Sequence, residues 1–333
     1  MKFFSWEPIL EFMPTRKWLP IQFMLVCTLA FIRKHKKPAA ALAVILVALA
    51  VGALVFYGRS PVLVVTDALF IELYGKERIR RQRIAASFAL FRRVKPVITA
   101  DGVSPDILVA AISEASRHPY CVLFPAYLAP AAERFHLQFP ETRAVILTGI
   151  RPSSEFPRPD GVLCVYRTDQ ETDLYRAGLF AGLLGLKRIS PDAQKTCFLW
   201  QDRYIQAAER EIFSRGLKES DPDAVVRFAS SDSDIPDMEG ISCVVLTRSG
   251  AEYLDRNAKI PLILFSWLDP SILPAETAAV FDDSTWALVV PAARMVTNSR
   301  IEGKIPSKPL FFSGGTADNS MDRILKQLAK KTP

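Results

Sequence analysis

Histidine is scarce in this chain, three in 333 residues, and the motifs that announce catalysis are missing. No G-x-S-x-G elbow, P-loop, G-x-G-x-x-G turn or C-x-x-C pair occurs. His35 lies in a basic flank, His118 precedes a proline, and His136 falls on an amphipathic stretch, so no histidine-based zinc site is expected. Cysteine is sparse too. Cys121, Cys164, Cys197 and Cys243 sit singly inside apolar runs (CVLF, VLCVY, TCFLW, SCVVL), where a small thiol packs like alanine and no disulfide framework forms. The acidic stretch SSDSDIPDMEG (230–240) lacks the glycine and distal glutamate spacing of a calcium loop, and Pro236 interrupts it. These absences leave no expected cofactor or metal, and they point away from an enzyme.

Charge is absent from one long run, PAAALAVILVALAVGALVFY, residues 38–57. As a helix it would span about 30 Å, the thickness of a hydrocarbon core. Arg33, Lys34, Lys36 and Lys37 precede it, and only Arg59 follows closely. Positive charge is retained in the cytoplasm, so the amino terminus is expected inside and the remainder exported. A cleaved signal peptide has the same layout, but the small residues Ala48, Ala50, Gly52 and Ala53 lie inside the run, which favours an uncleaved transmembrane anchor. A shorter apolar stretch, 19–32, lies upstream, and Met24 is an alternative start. The net charge of +7 belongs mostly to this region: residues 1–37 carry seven Lys and Arg against two Glu. The part beyond the anchor keeps only a small excess, so no nucleic-acid partner is expected.

From residue 60 onward, short β-branched runs alternate with helical spacing. PVLVVTD, KPVITAD, YCVLFPA, RAVILTG and GVLCVYRT read as strands buried on both faces, with helical segments between them. After an amphipathic segment, 171–186, a second series begins: KTCFLWQD, AVVRFASS, ISCVVLTR, PLILFSWLD and TAAVFDD. Helices are expected near 203–217 and 250–257. Such alternation predicts parallel sheets with right-handed crossovers, and this length predicts two α/β lobes. The boundaries read as 1–37 cytoplasmic, 38–57 anchor, 61–168 first lobe, 169–283 second lobe, and 284–333 crossing back between lobes. STWALVVPAARMVTNSRIEG (284–303) has a helical pattern that Pro291 should kink or split. A basic helix is expected from about residue 318.

Parallel α/β sheets bind ligands at the carboxyl ends of their strands. Those positions hold Asp67, Phe70, Asp101, Tyr127 and Arg151 in the first series. The second offers Asp202, Tyr204, Ser231, Thr247, Arg248, Ser249, Trp267, Asp269, Asp283 and Trp286. Aromatic side chains there would clamp a flat small molecule while carboxylates fix its polar edge. The preferred ligand-binding set is Asp67, Phe70, Tyr127, Asp202, Tyr204, Trp267, Asp269 and Trp286.

An export segment followed by two similar α/β lobes resembles a type I periplasmic binding protein. VYRTDQETDLYRAGLFAGLLG (165–185) is most similar to the basic-membrane-protein family of nucleoside-binding lipoproteins. Glu171, Tyr175, Ala177, Gly178, Ala181 and Gly182 fit that family's aromatic and Tyr-Leu-Ala-Gly pattern, and the small residues at 177, 178, 181 and 182 are expected to let this helix approach the sheet closely. The resemblance implies two Rossmann-like lobes closing on a small-molecule ligand, without cofactor, for an ABC permease or a sensor. It also implies a bacterial inner-membrane location, with the lobes outside. Departures bear on the ligand. ALFIELYG replaces the family's Asp-x-Ser-Phe-Asn motif, Trp267 stands where nucleoside binders place a ribose-contacting Asp, Trp286 stands near their Lys, and the lipid-attachment Cys is missing. Sugar hydroxyls would therefore lose partners. A protein that keeps the fold as a ligand-free scaffold is the alternative expectation.

Overall fold

The computed structural model describes residues 38–100, 102–149, 159–188, 195–201, 205–230, 240–247 and 260–312, with 38–43 and 186–188 given by backbone alone. The chain divides after Arg59. Ahead of the division, helix α1 (Pro38–Gly58) takes up the uncharged run, whose Ala and Leu content favours a helix and leaves it without a polar face. Among the described residues no helix is long and apolar enough to cross a membrane, the described side chains of α1 being those from Val44 onward. The stretch 19–32, the helices expected at 250–257 and beyond 318, and the acidic segment 231–239 lie outside the described residues.

Beyond the division the apolar runs become strands. β1 (Val62–Asp67), β2 (Val94–Thr99), β3 (Cys121–Pro125), β4 (Arg143–Thr148) and β5 (Leu163–Thr168) form a parallel sheet, ordered β5-β4-β3-β1-β2. Helices α2 (Ala68–Tyr74), α3 (Lys76–Leu90), α4 (Pro105–Ala115) and α5 (Ala129–Gln138) connect the first four strands. The strands are apolar at successive positions because both faces are covered. Val62, Val64, Leu123 and Val145 face Ile79 of α3, while Leu63, Val65, Phe124 and Ile146 face Leu108 and Ile112 of α4 and Phe135 of α5.

Helix α6 (Gln170–Arg188) leads into the second sheet. Its strands are β6 (Thr196–Gln201), β7 (Val225–Ser230), β8 (Ile241–Thr247), β9 (Leu262–Phe265) and β10 (Thr277–Asp282), with α7 (Ala207–Ser220) between β6 and β7. The chain then returns. Helix α8 (Thr285–Thr297) packs Trp286, Leu288, Val289, Ala292 and Val296 against the first sheet. β11 (Glu302–Ile305) joins β5 in parallel, and β12 (Lys308–Phe311) crosses again to pair antiparallel with β10. Three crossings thus connect the lobes, near 169, 283 and 306.

Two expectations need correction. The helical pattern read over 284–303 stops at Thr297, and one helix runs through Pro291. Ser299 then takes a left-handed φ of 55°, and 302–305 pairs along β5, where ladder hydrogen bonds to an open sheet edge override helical spacing. The second concerns the small residues of α6. Ala177 and Ala181 do lie in the core beside the sheet, but Gly178 and Gly182 abut α7. A Cβ on Gly178 would land on the carbonyl oxygen of Phe213, and one on Gly216 on that of Tyr175. The two glycines allow the helix backbones to approach. Gly178→Ala is expected to force α6 and α7 apart and cost about 1–3 kcal/mol, read as a lower urea midpoint with an unchanged slope.

Candidate functional site

The strand ends place Asp67, Thr66, Tyr127 and Gly149 on the first lobe's side of a cleft. Asp67 caps α2, accepting from the Phe70 amide at 2.5 Å. Its other carboxylate oxygen accepts from the Tyr127 hydroxyl. The cap fixes the first turn of α2 and so aims Phe70. Its ring stacks on Tyr74 at 4.9 Å and meets Trp267, beyond β9 in the second lobe, also at 4.9 Å. A cavity of about 200 Å³ lies against Phe70, Tyr127, Trp267, Thr66, Asp283 and Gly149. Thr66 Oγ1, buried at its wall, has no hydrogen-bond partner among the described residues. A buried hydroxyl left unpaired is a place for a ligand or water group to bond.

Gly149 also borders a second, polar cavity of about 340 Å³, walled by Arg167, Glu171, Glu209 and Lys304. Its charges are mostly paired. Lys304 Nζ lies 3.0 Å from Glu171, and Glu209 closes the capping box of α7 by accepting from the Gln206 amide at 2.7 Å. Arg167 has no ion-pair partner among the described residues. The cleft therefore has an aromatic end and a polar end, and in the lining of the polar end Arg167 and Lys304 face Glu171 and Glu209.

Beside the cleft the lobes are joined by buried polar contacts. Asp282, at the end of β10 and without exposed surface, accepts from Arg78 Nη2 at 2.6 Å and from the Tyr74 hydroxyl at 2.9 Å. Its other oxygen accepts from the Ser284 amide at 2.9 Å, where the chain crosses back. Arg78 also donates to the Leu268 carbonyl at 2.8 Å, and the Asp269 amide donates to the Leu73 carbonyl at 2.8 Å. At the outer crossings the Asp169 amide donates to Ile305 O at 2.8 Å, and Thr168 Oγ1 to Asp283 at 3.3 Å. Asp173 accepts from the Ser307 amide at 2.9 Å and from its hydroxyl at 2.5 Å.

Burial raises the pKa of Asp282 despite Arg78, and raises that of the Tyr74 phenol, with Asp282 adding to it. It also pushes Asp173 up to about 7, against the opposing pull of Ser307 and Arg176. Asp269 is held low by the Ser271 amide that its carboxylate accepts from. A raised carboxylate favours the fold while protonated. The contribution of Asp173 is therefore fully present below its unfolded pKa, about 4, and is lost as pH rises through about 7. Denaturant titration across that window is expected to show the native chain losing stability relative to Asp173→Asn. Parallel curves for the two would refute the assignment.

Of the eight preferred residues, Phe70, Tyr127 and Trp267 come together around the aromatic cavity, and Asp67 holds the first two from behind through the Phe70 amide and the Tyr127 hydroxyl. Asp269 lies beside the cavity but is occupied: its carboxylate caps the turn Pro270–Ile272 and abuts Gly75, whose φ of 94° suits glycine and whose missing side chain makes room. Trp286 belongs elsewhere. It is 1% exposed, in the core beneath α8, because a helix starting at Thr285 turns it onto the first sheet. Asp202 and Tyr204 lie outside the described residues, as do Asp101, Arg151, Ser231, Arg248 and Ser249. Thr247 is buried and donates to the Trp200 carbonyl at 3.3 Å. Residues that sequence reading passed over are Arg78, Asp282, Arg167 and Lys304. Asp282 had a signal: it ends a buried strand next to Asp283, and strand alternation turns one of the two inward.

No family model matches the chain, and no curated protein matches its sequence. Among solved structures, it is similar to an ABC transporter system solute-binding protein from Conexibacter woesei DSM 14684. The TM-score is 0.51 at 13% identity, over 82% of this chain and 98% of that one. A transcriptional activator of the comK gene from Bacillus halodurans aligns with a TM-score of 0.50 at 13% identity, over 83% of this chain and all of the other. At such identity the likeness speaks to architecture alone: the chain beyond residue 60 has the two-lobed α/β fold of type I periplasmic binding proteins.

Proposed function

We propose that this chain is a solute-binding protein tethered to the bacterial inner membrane by residues 38–57. Its amino terminus is cytoplasmic, and its lobes bind a small molecule outside for a permease or sensor, without turnover. The tether is supported by the uncharged run and by the cations that precede it. Binding is supported by one observation above others: Phe70 and Trp267, from different lobes, meet at the mouth of a cavity beside an unpaired Thr66 hydroxyl. Such rings hold a flat group by stacking when a ligand separates them. The polar end, with Arg167, suits a carbonyl or an anionic substituent. The ligand is flat and nucleoside-like at most in its base, since Trp267 occupies the place expected for a ribose partner.

A specific observation favours the scaffold reading as well. The two rings already touch each other beside the cavity, and the Arg78–Asp282 and Asp269–Leu73 bonds already hold the lobes together. A thermal-shift screen with nucleosides, bases, sugars and amino acids separates the two. The binding reading expects one class to raise the Tm by several degrees at about a hundredfold its Kd, and Trp267→Ala to abolish that shift. If no compound moves the Tm and Trp267→Ala changes only basal stability, the scaffold stands instead. The tether has its own check: a mature amino terminus near residues 52–60 in a mass spectrum would refute it.

A further inference from the structure

The aromatic cavity has a second kind of wall. Phe70, Tyr127 and Trp267 give it rings, while Thr66, near the end of β1, and Asp283, Ser284 and Thr285, where α8 begins, give it polar groups. Thr66 is 2% exposed, and its hydroxyl has no partner among the described residues. The start of α8 has spare donors as well. Ser284 caps this helix by accepting from the Ala287 amide at 3.1 Å, and the Leu288 amide donates back to the Ser284 carbonyl at 3.1 Å. The amides of Thr285 and Trp286 precede those bonds and have no acceptor among the described residues.

α8 runs for 13 residues, so its first amides and its dipole attract an electron-rich oxygen. That oxygen is best neutral. Neither lysine nor arginine is among the residues lining the cavity, and Asp283 brings a carboxylate to the same wall. This carboxylate accepts from Thr168 Oγ1 at 3.3 Å, and its two oxygens have lone pairs for further donors. A ligand edge with one carbonyl acceptor beside one N–H donor suits all of these groups together. Size limits what can carry the edge. The cavity of about 200 Å³ is smaller than the roughly 300–1,000 Å³ of sites for drug-sized ligands, which suits one ring or two fused rings without a sugar.

We propose that the ligand is a neutral planar lactam, held flat by Phe70 and Trp267. Its carbonyl oxygen bonds the Thr66 hydroxyl and the first amides of α8, and its ring N–H bonds Asp283. This names the ligand chemistry of the binding reading above and rests on that reading. Selectivity follows from the polar edge, since an N-methylated analogue sets a methyl group against the Asp283 carboxylate.

Uracil and hypoxanthine present such an edge. In 1,3-dimethyluracil the ring and both carbonyls remain, but methyl groups replace both N–H donors. Thermal shift and calorimetric titration with these three compounds make the test. At least one lactam is expected to raise the Tm by several degrees at about a hundredfold its Kd, with dimethyluracil about tenfold weaker or more. Thr66→Val should weaken lactam binding about tenfold while keeping or raising the Tm of the free chain, because a methyl group replaces a buried hydroxyl that lacks a partner. A purely structural Thr66 would lower that Tm and leave the affinity alone. Dimethyluracil binding as tightly as the lactams, a shift confined to compounds without the lactam edge, or lactam binding untouched by Thr66→Val overturns the assignment. In each of those cases the binding reading still stands if Trp267→Ala abolishes the shift. If no compound of the wider screen moves the Tm, the binding reading falls and this assignment falls with it.

Discussion

The carboxylate of Asp282 fixes how the two lobes meet. It belongs to a strand of the second sheet, yet its partners Arg78 and Tyr74 stand on helices of the first, and its remaining oxygen receives the amide of Ser284 as the chain returns. A buried ion pair adds little net stability, because desolvating both charges offsets most of their attraction. Removing one partner is far more costly, since it leaves the other charge buried alone. The consequence is selectivity among arrangements. Any rotation that separates Arg78 from Asp282 exposes or strands a charge, so one relation of the lobes is strongly preferred at this point.

The cleft follows from that relation. Arg78 reaches the Leu268 carbonyl and Leu73 accepts from Asp269, so the loop after β9 is positioned by α2 and α3 of the other lobe. This brings Trp267 to Phe70, and Asp67 sets Phe70 by capping the same helix. The contacts at 168–169 and 305–307 act beside the polar cavity, which Thr168 lines. Asp173 differs in kind from Asp282, for its partner is the neutral Ser307 where Asp282 has the guanidinium of Arg78, and burial pushes Asp173 up to about 7.

Much of this architecture was legible in the residue pattern. Runs such as VLVVTD and ISCVVLT are short, β-branched and apolar at consecutive positions, as strands covered on both faces are, and their alternation with helical spacing specifies crossovers. Less legible were features that depend on which partner a residue meets. Helical spacing over 284–303 did not reveal that β5 has an open edge awaiting 302–305. Gly178 reads as a small residue but not as one whose neighbour is α7. Trp286 and Trp267 are alike as letters; one sits a turn into a helix lying on the sheet, the other in a loop at the lobe junction. Asp67 and Tyr127 were accessible to sequence reasoning because strand ends converge. Arg78 was hidden within a run of surface arginines, distinguished only by the turn of α3 that faces the second lobe.

The tight Phe70–Trp267 contact bears on how a ligand would enter. Both rings are only partly buried, and Phe70 keeps its stack on Tyr74 when Trp267 moves, so separating the two forfeits a modest ring contact. The Arg78–Asp282 joint is much stiffer, and it lies beside a crossing of the chain, where a closing motion displaces atoms least. A ligand of ring thickness therefore requires local displacement of α2 or of the loop after β9, with the charged joint intact. That favours entry by ring separation over wide opening of the lobes. It also fits the division within the cleft: the aromatic end is a contact between rings, while the polar end is braced by the Lys304–Glu171 pair and the Glu209 cap of α7.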